Sequence, residues 1–209
     1  HYFNLAHIFM HPWIKPMILE DTQIRLEPLH KQHEHGLIAA ASDGELWNLW
    51  FTSIPKPDQT KAFIETALQQ AEQGIAQAFA IINKNTGDVL GSTRFCNIDS
   101  INHRVEIGYT WYRQSEQRTG TNTSCKLLLL THAFEELDCI AVEFRTNWHN
   151  HKSRTAIARL GAKQDGILRQ HQIMPNGQYR DTVVFSIINS EWPAVKTQLQ
   201  FFQHKHSEH

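Results

Sequence analysis

The sequence predicts a mixed α/β (α+β) fold with a central sheet of about seven strands and helices on both faces. Three observations carry this expectation. Segments of strand character and segments apolar at helical spacing follow one another as strand, two or three helices, three strands, helix, strand, helix and two strands. No repeat, linker or low-complexity run divides them, so one domain is expected over residues 20–190. Between Val105 and Phe134 a strand passes through a short polar loop into a helix, which is the physical form of an anion site.

The elements follow in order. Residues 1–19, aromatic and apolar with Pro12 and Pro16, read as an N-terminal extension packing on the domain or on a partner. This run is shorter than a membrane span and lacks the basic start and small-residue cleavage site of a signal peptide. Thr22 to Glu27 alternates as a strand and is ended by Pro28. His30 to Ala41 suits a helix. Trp47, Trp50 and Phe51 recur at helical spacing, which predicts a short helix turning its aromatic face to the core. Asp58 to Gln73 is the most regular helix. It carries Phe63, Ile64, Ala67, Leu68 and Ala71 on one side, with Gly74 behind it.

Ala78 to Asn83 and Val89 to Asn97 are predicted strands joined at Asn85-Thr86-Gly87-Asp88, and Arg104 to Tyr112 is the next. A helix follows the polar loop, with Asn122 or Thr123 as its N-cap. Ile140 to Thr146 is a buried-type strand, and Asn150 to Leu160 is a helix closed by Gly161. Residues 163–169 and 180–188 are the last strands, with a turn at Asn176-Gly177. Residues 191–209 are left as a C-terminal tail.

Composition narrows the class. The 209 residues are 41% hydrophobic and 20% charged, with net charge -1, which describes a globular domain with no general attraction to nucleic acid or membrane. Cys96, Cys125 and Cys139 are odd in number and lie in apolar stretches. A reducing compartment, the cytoplasm, follows rather than a disulfide framework. Fourteen histidines are scattered. His30-x-x-His33-x-His35 lacks a second half of ligands, so it reads as a solvated helix face and no metal is expected. A metal-linked histidine protein is the reading that this would contradict.

The loop reads Gln117-Arg118-Thr119-Gly120-Thr121-Asn122. It has no Gly-Lys pair followed by Ser or Thr, as a Walker loop requires, and it lacks the three spaced glycines of a dinucleotide loop. It resembles the pyrophosphate loop of the GNAT acetyltransferases, Gln/Arg-x-x-Gly-x-Gly/Ala, with Asn122 in place of the small last residue. Asn147-x-x-Asn150-x-x-Ser153 and Leu160-Gly161-Ala162 resemble the family's Asn-x-x-Ser helix and its Leu-Gly-Phe ending. Tyr179-Arg180-Asp181-Thr182-Val183 is similar to the ribosomal-protein N-acetyltransferase (RimJ/RimL-like) branch. The ordered set spans roughly residues 20 to 190.

The resemblance implies a GNAT fold with a splay between the fourth and fifth strands, and transfer of an acetyl group from acetyl-CoA to a primary amine by direct attack. The acceptor would be a protein N-terminus or a small amine, and a homodimer is compatible with the family. The pyrophosphate would sit on N–H groups of Arg118, Thr119, Gly120, Thr121, Asn122 and Thr123 beside Gln117, with charge from Arg118 and Arg113. The pantetheine arm would add to the edge of Thr110, Trp111 and Tyr112, with Asn147 and Asn150 nearby. Trp47, Trp50, Phe51 and Asp181 would wall the acceptor.

An amine acceptor must lose a proton, since its reference pKa lies at about 7.7–10.4. Glu106, eleven residues before Gln117 and resembling the glutamate of histone-type members, is the leading base. Period two places it on one strand face with Gly108 and Thr110. A structural ion pair with Arg104 or Arg94 is equally open. Gln172 stands where some ribosomal-protein members have a glutamate; His171, Asp181 or water are the other bases. Ser153 would stabilise the departing thiolate. Cys125 has no paired histidine and is set aside as a nucleophile. A non-catalytic acyl-CoA sensor, keeping the loop without a base, is the alternative function.

Overall fold

The computed structural model describes residues 12–207, and most of the N-terminal extension (residues 1–11) lies outside them. The architecture is one eight-stranded sheet in the order β1-β2-β3-β4-β5-β6-β8-β7. The strands are β1 (Leu19–Glu20), β2 (Ile24–Pro28), β3 (Gln77–Asn83), β4 (Val89–Asp99), β5 (Arg104–Tyr112), β6 (Ala141–Asn147), β7 (Lys163–Ile173) and β8 (Tyr179–Ile188). The α-helices among the described residues are α1 (Glu34–Ser42), α2 (Thr60–Glu72), α3 (Thr121–Thr131), α4 (His151–Arg159) and α5 (Trp192–Ser207). The strand beyond the expected seven is β1, two residues that form a hairpin with β2, too short for an alternating pattern to announce it.

β3 shows why the sheet has helices on both faces. It is buried from Gln77 to Ile82. Phe79 and Ile81 join a core with Phe95, Val105, Ile107, Leu129, Leu130, Phe144, Phe185 and Leu199, on the face of α3 and α5. Ala78, Ala80 and Ile82 join a second core with Leu37, Ala40, Ile64, Ala67 and Trp111, on the face of α1 and α2. Period two sends alternate side chains into separate cores, so the strand reads as a continuous apolar run. No helix among the described residues is long and apolar enough to cross a membrane.

Three sequence expectations are corrected here. The aromatic segment is not a regular helix: only Leu46–Asn48 makes a helical turn. Gly44 at φ 94° and Glu45 at φ 46° both leave the right-handed region at its start. Trp47 is partly buried against the second core, whereas Trp50 is 51% exposed. The N-cap of α3 is Gly120, at φ 93°, rather than Asn122 or Thr123. His33 is not solvated. It is buried, its Nε2 lies 2.8 Å from Glu27 Oε2, and its Nδ1 accepts the His30 N–H at 3.0 Å.

Residues 192–207, beyond the last predicted strand, form α5. Trp192, Val195 and Leu199 are buried, and Phe134 stacks on Trp192 with ring centres 5.3 Å apart. This burial makes α5 part of the first core.

Candidate functional site

The site is built around a ladder that stops. β5 and β6 run parallel, and only Arg104, Val105 and Glu106 find partners, in Ala141, Val142 and Glu143. Beyond Glu106 the strands continue but no longer pair, so β5 from Ile107 to Tyr112 has no β6 partner. An unpaired sheet edge between two buried strands is a place where an extended, amide-containing chain can bond. β4 stays paired with β5 through this region, with a bulge opposite Thr93 that puts Tyr109 at φ 52°.

That bulge changes which side chains share a face. Glu106 and Gly108 lie together: a Cβ on Gly108 would stand 3.0 Å from Glu106 Oε1. Thr110 does not join them. It meets Lys126 on α3, whose Nζ donates to Thr110 Oγ1 at 3.0 Å, while Trp111 enters the core of α1 and α2. The extra residue slips the phase by one, so the expected grouping of Glu106, Gly108 and Thr110 is corrected.

Gly120 begins α3 at the end of this edge. Its φ of 93° suits glycine, and the first N–H groups of α3 and its dipole make the end of the helix favourable to an anion. The space that a Cβ would fill is taken by His206, with Cβ and Cγ 3.1 Å away, so the last turn of α5 abuts the loop. His206 lies 86 positions downstream of Gly120, and no motif in the sequence joins the two.

Around the loop, Gln117 Nε2 donates to Tyr112 O at 3.2 Å, and Lys152 of α4 donates to Gln117 Oε1. Thr119 and Thr121 both donate to Glu116 Oε2, at 3.2 and 2.8 Å. Arg118 has φ 68°, whereas Arg113 is engaged by Asp43 at 3.1 Å. Asn122 Oδ1 accepts from the Tyr112 hydroxyl at 2.9 Å, which ties α3 to β5 and gives asparagine a structural use at that position. Burial pushes the Tyr112 hydroxyl far above its ordinary pKa, keeping it a donor. Thr123 lies in the first turn of α3.

Glu106 is 6% exposed. Burial raises its carboxyl pKa, against the lowering pull of the Asn97 amide and the Arg145 guanidinium. Asn97 Nδ2 donates to Glu106 Oε2, and Arg145 Nε lies 3.9 Å from the same oxygen. The expected ion pairs are corrected: Arg104 goes to Glu143 at 3.3 Å, and Arg94 to Gln70 at 3.1 Å. The other base candidates stand apart from this arrangement. Asp181 is bonded to Arg169 at 2.6 Å and to the Gln170 N–H at 2.7 Å, which lower its pKa, the backbone bond most. His171 Nδ1 lies 2.9 Å from Thr182 Oγ1.

Asn147 is buried and accepts the His149 N–H at 2.9 Å. Asn150 caps α4 by accepting the Ser153 N–H at 3.0 Å. Ser153 is half-buried, and among the described residues its hydroxyl makes no hydrogen bond. Trp50 packs 5.5 Å from Phe51 and 5.7 Å from His149, ring centre to ring centre, which carries the loop after α1 across to the loop after β6.

Lys126 was not singled out by the sequence. It is 5% exposed and has no carboxylate partner among the described residues, and burial lowers its pKa. A lowered amine pKa means that the folded chain binds the proton less firmly than the unfolded one, whose reference value is about 10.4. The penalty is absent above that pH and grows as pH falls toward the folded value. Lys126→Met should therefore raise stability at neutral pH by on the order of 1–4 kcal/mol. Denaturant melts against pH check this: the gain should shrink toward zero near pH 10.

Comparison with known proteins adds a family. The family model described as acetyltransferase (GNAT) domain matches residues 23–163. A Bacillus subtilis (strain 168) protein, provisionally named ribosomal N-acetyltransferase YdaF, is 33% identical over 110 residues, 53% of this chain and 59% of that protein. The chain thus spans about three fifths of that relative. The crystal structure of a GCN5-related N-acetyltransferase from Brucella melitensis superposes with TM-score 0.81 at 29% identity, covering 92% of this chain and 87% of that one. RimL, a ribosomal L7/L12 alpha-N-protein acetyltransferase solved in complex with coenzyme A, shares the fold with TM-score 0.70 at 20% identity, over 82% of this chain and 98% of its own.

Proposed function

This chain belongs to the acetyltransferase (GNAT) family, and from that premise we propose that it moves the acetyl group of acetyl-CoA to a primary amine by direct attack. The observation that carries the reading is the ladder between β5 and β6, which stops after three residue pairs next to a helix that starts on a left-handed glycine. The unpaired edge suits the amides of a pantetheine arm, and the start of α3 suits a pyrophosphate. The names of the relatives, with ribosomal proteins as substrates for some, favour a protein N-terminus over a small amine as acceptor. Three buried, unpaired cysteines fit a cytoplasmic setting.

In this reading Glu106 takes the amine proton, directly or through water. Burial raises its pKa toward the pH at which a carboxylate is an effective base. A β5 N–H in the Thr110–Tyr112 segment meets the oxyanion as the amine nitrogen bonds to the carbonyl carbon. The C–S bond then breaks, and the thiolate leaves toward Ser153, whose hydroxyl is free to donate. The test is thiol release from acetyl-CoA with a panel of amines. Binding of acetyl-CoA without thiol release from any amine would favour a sensor instead.

Ser153→Ala tests the last step. A thiol of pKa about 8.5 leaves tolerably unaided, so the loss in kcat should be modest, around tenfold, with CoA affinity unchanged. Raising the pH should narrow the gap. Equal turnover of variant and wild type across the pH range would reduce Ser153 to part of the helix start.

A further inference from the structure

The sheet face that carries Glu106 also carries four arginines, Arg94, Arg104, Arg145 and Arg180, and they outnumber the carboxylates there. The registers Arg94↔Gly108, Cys96↔Glu106 and Glu106↔Glu143 place Arg94, Glu106, Glu143 and, two residues on, Arg145 on that face. Arg145 faces Val184 of β8, and Arg180 lies four residues before Val184 on the same strand. The carboxylates are Glu106 and Glu143, and Glu143 is already shared between Arg104 at 3.3 Å and Arg145 at 3.4 Å.

Two of these guanidiniums lack an anion. Arg94 is 5% exposed, bonds only to the Gln70 amide, and lies 4.7 Å from the centre of the Tyr109 ring and 5.2 Å from that of Phe63. Arg180 makes no hydrogen bond and no ion pair among the described residues. The Nε atoms of Arg94, Arg145 and Arg180 are all buried without a hydrogen-bond partner among the described residues, although Arg145 Nε lies 3.9 Å from Glu106 Oε2. Glu106 is the carboxylate whose charge Arg180 feels most. Taking a guanidinium out of water without an anion is unfavourable, most so for the buried Arg94 and less for the half-buried Arg180, so such a cluster is expected where a ligand completes it rather than where packing alone decides. Tyr109 sits over it on the bulge, 54% exposed, at the point where β5 and β6 part.

We propose that Arg180, with Arg94 behind the Tyr109 ring, forms an anion subsite beside Glu106, so that the acceptor amine belongs to a molecule carrying a carboxylate close to it. This rests on the acetyl-transfer reading and gives its acceptor a chemical class. The guanidinium fork matches a carboxylate in two parallel N–H···O bonds. The carboxylate is either the α-carboxylate of a free amino acid or the side chain of an acidic residue next to a peptide N-terminus. Polyamines are disfavoured, because their second cation would meet the arginines.

The experiment compares matched acceptors at saturating acetyl-CoA by thiol release. One pair is a free amino acid and its carboxamide; the other is a peptide beginning Ser-Asp and one beginning Ser-Lys. Spermidine is the cationic control. The carboxylate-bearing member of at least one pair should have a KM lower by about tenfold or more, the scale of one hydrogen bond between charged groups. Which pair shows it separates free amino acid from peptide. Arg180→Gln should collapse that ratio toward one by raising KM for the anionic member. Neutral or cationic acceptors used as well as anionic ones, by the wild-type protein alone, would overturn the subsite. Thiol release with no acceptor of any charge, while calorimetry still detects acetyl-CoA binding, would overturn the transfer reading instead and the subsite with it.

Discussion

Gly120→Val should abolish CoA binding while the fold survives. Gly120 holds φ 93°, a region that costs an ordinary L-residue about 1–2 kcal/mol and is an outlier for a β-branched one. Relief requires the loop to rotate, and rotation re-aims the N–H groups that would meet the pyrophosphate. The valine also collides with His206, whose Cβ lies 3.1 Å from the new Cβ position. That second effect displaces the last turn of α5 and has nothing to do with the cosubstrate. The double variant Gly120→Val/His206→Ala removes the collision and keeps the strain. Calorimetry with CoA should still find no binding by the double variant, with thermal melts showing that both variants fold. If the double variant binds CoA as the wild type does, the loop is not the pyrophosphate site.

The order of elements was legible because the strands are buried on alternate faces and the helices on one. β5 is the clearest case: Arg104 to Tyr112 is bounded in the structure as its β-branched and aromatic run suggests. The turn into α3 was legible for a similar reason, since Gly120 separates a strand pattern from a helical run. What could not be read was whatever depends on a single backbone residue or on distant chain. The bulge at Tyr109 turns on one φ of 52°, and tyrosine gives no warning of it. It moves Thr110 to the opposite face from Glu106, and period two had no means to see this. The aromatic run at Trp47, Trp50 and Phe51 has helical spacing by coincidence, since Gly44 and Glu45 turn the chain before a helix can propagate. Arg180 belonged to a motif that drew attention to Asp181 beside it. In the structure Asp181 is consumed by Arg169 and the Gln170 N–H, while Arg180 is the group left without a partner.

Glu106→Gln should lower kcat by roughly 10²-fold or more, the usual scale for loss of a general base. The geometry isolates this effect better than the strand position alone. The carboxyl is 6% exposed and held by the Asn97 amide on one oxygen, and an amide of the same shape can keep that contact by exchanging donor and acceptor roles. Burial is the leading cause of its raised pKa, so the working base is lost as pH falls through a value above the ordinary carboxylate range of about 4.3. The acidic limb of the wild-type pH–rate profile should report that value, and the limb should vanish in Glu106→Gln. Stability runs with the opposite sign. A raised pKa means that the folded state holds the proton more firmly than the unfolded one. The carboxyl therefore favours folding at low pH and costs stability once pH rises through the raised value. Glu106→Gln, neutral at every pH, should then melt no lower than wild type at neutral pH, which separates a catalytic loss from an unfolded enzyme. A variant that keeps both the rate and the acidic limb would make Glu106 a structural group held between Asn97 and Arg145. It would pass the base to His171 before Asp181, because the latter's pKa is lowered by the Gln170 N–H and the Arg169 guanidinium, which weakens it as a proton acceptor.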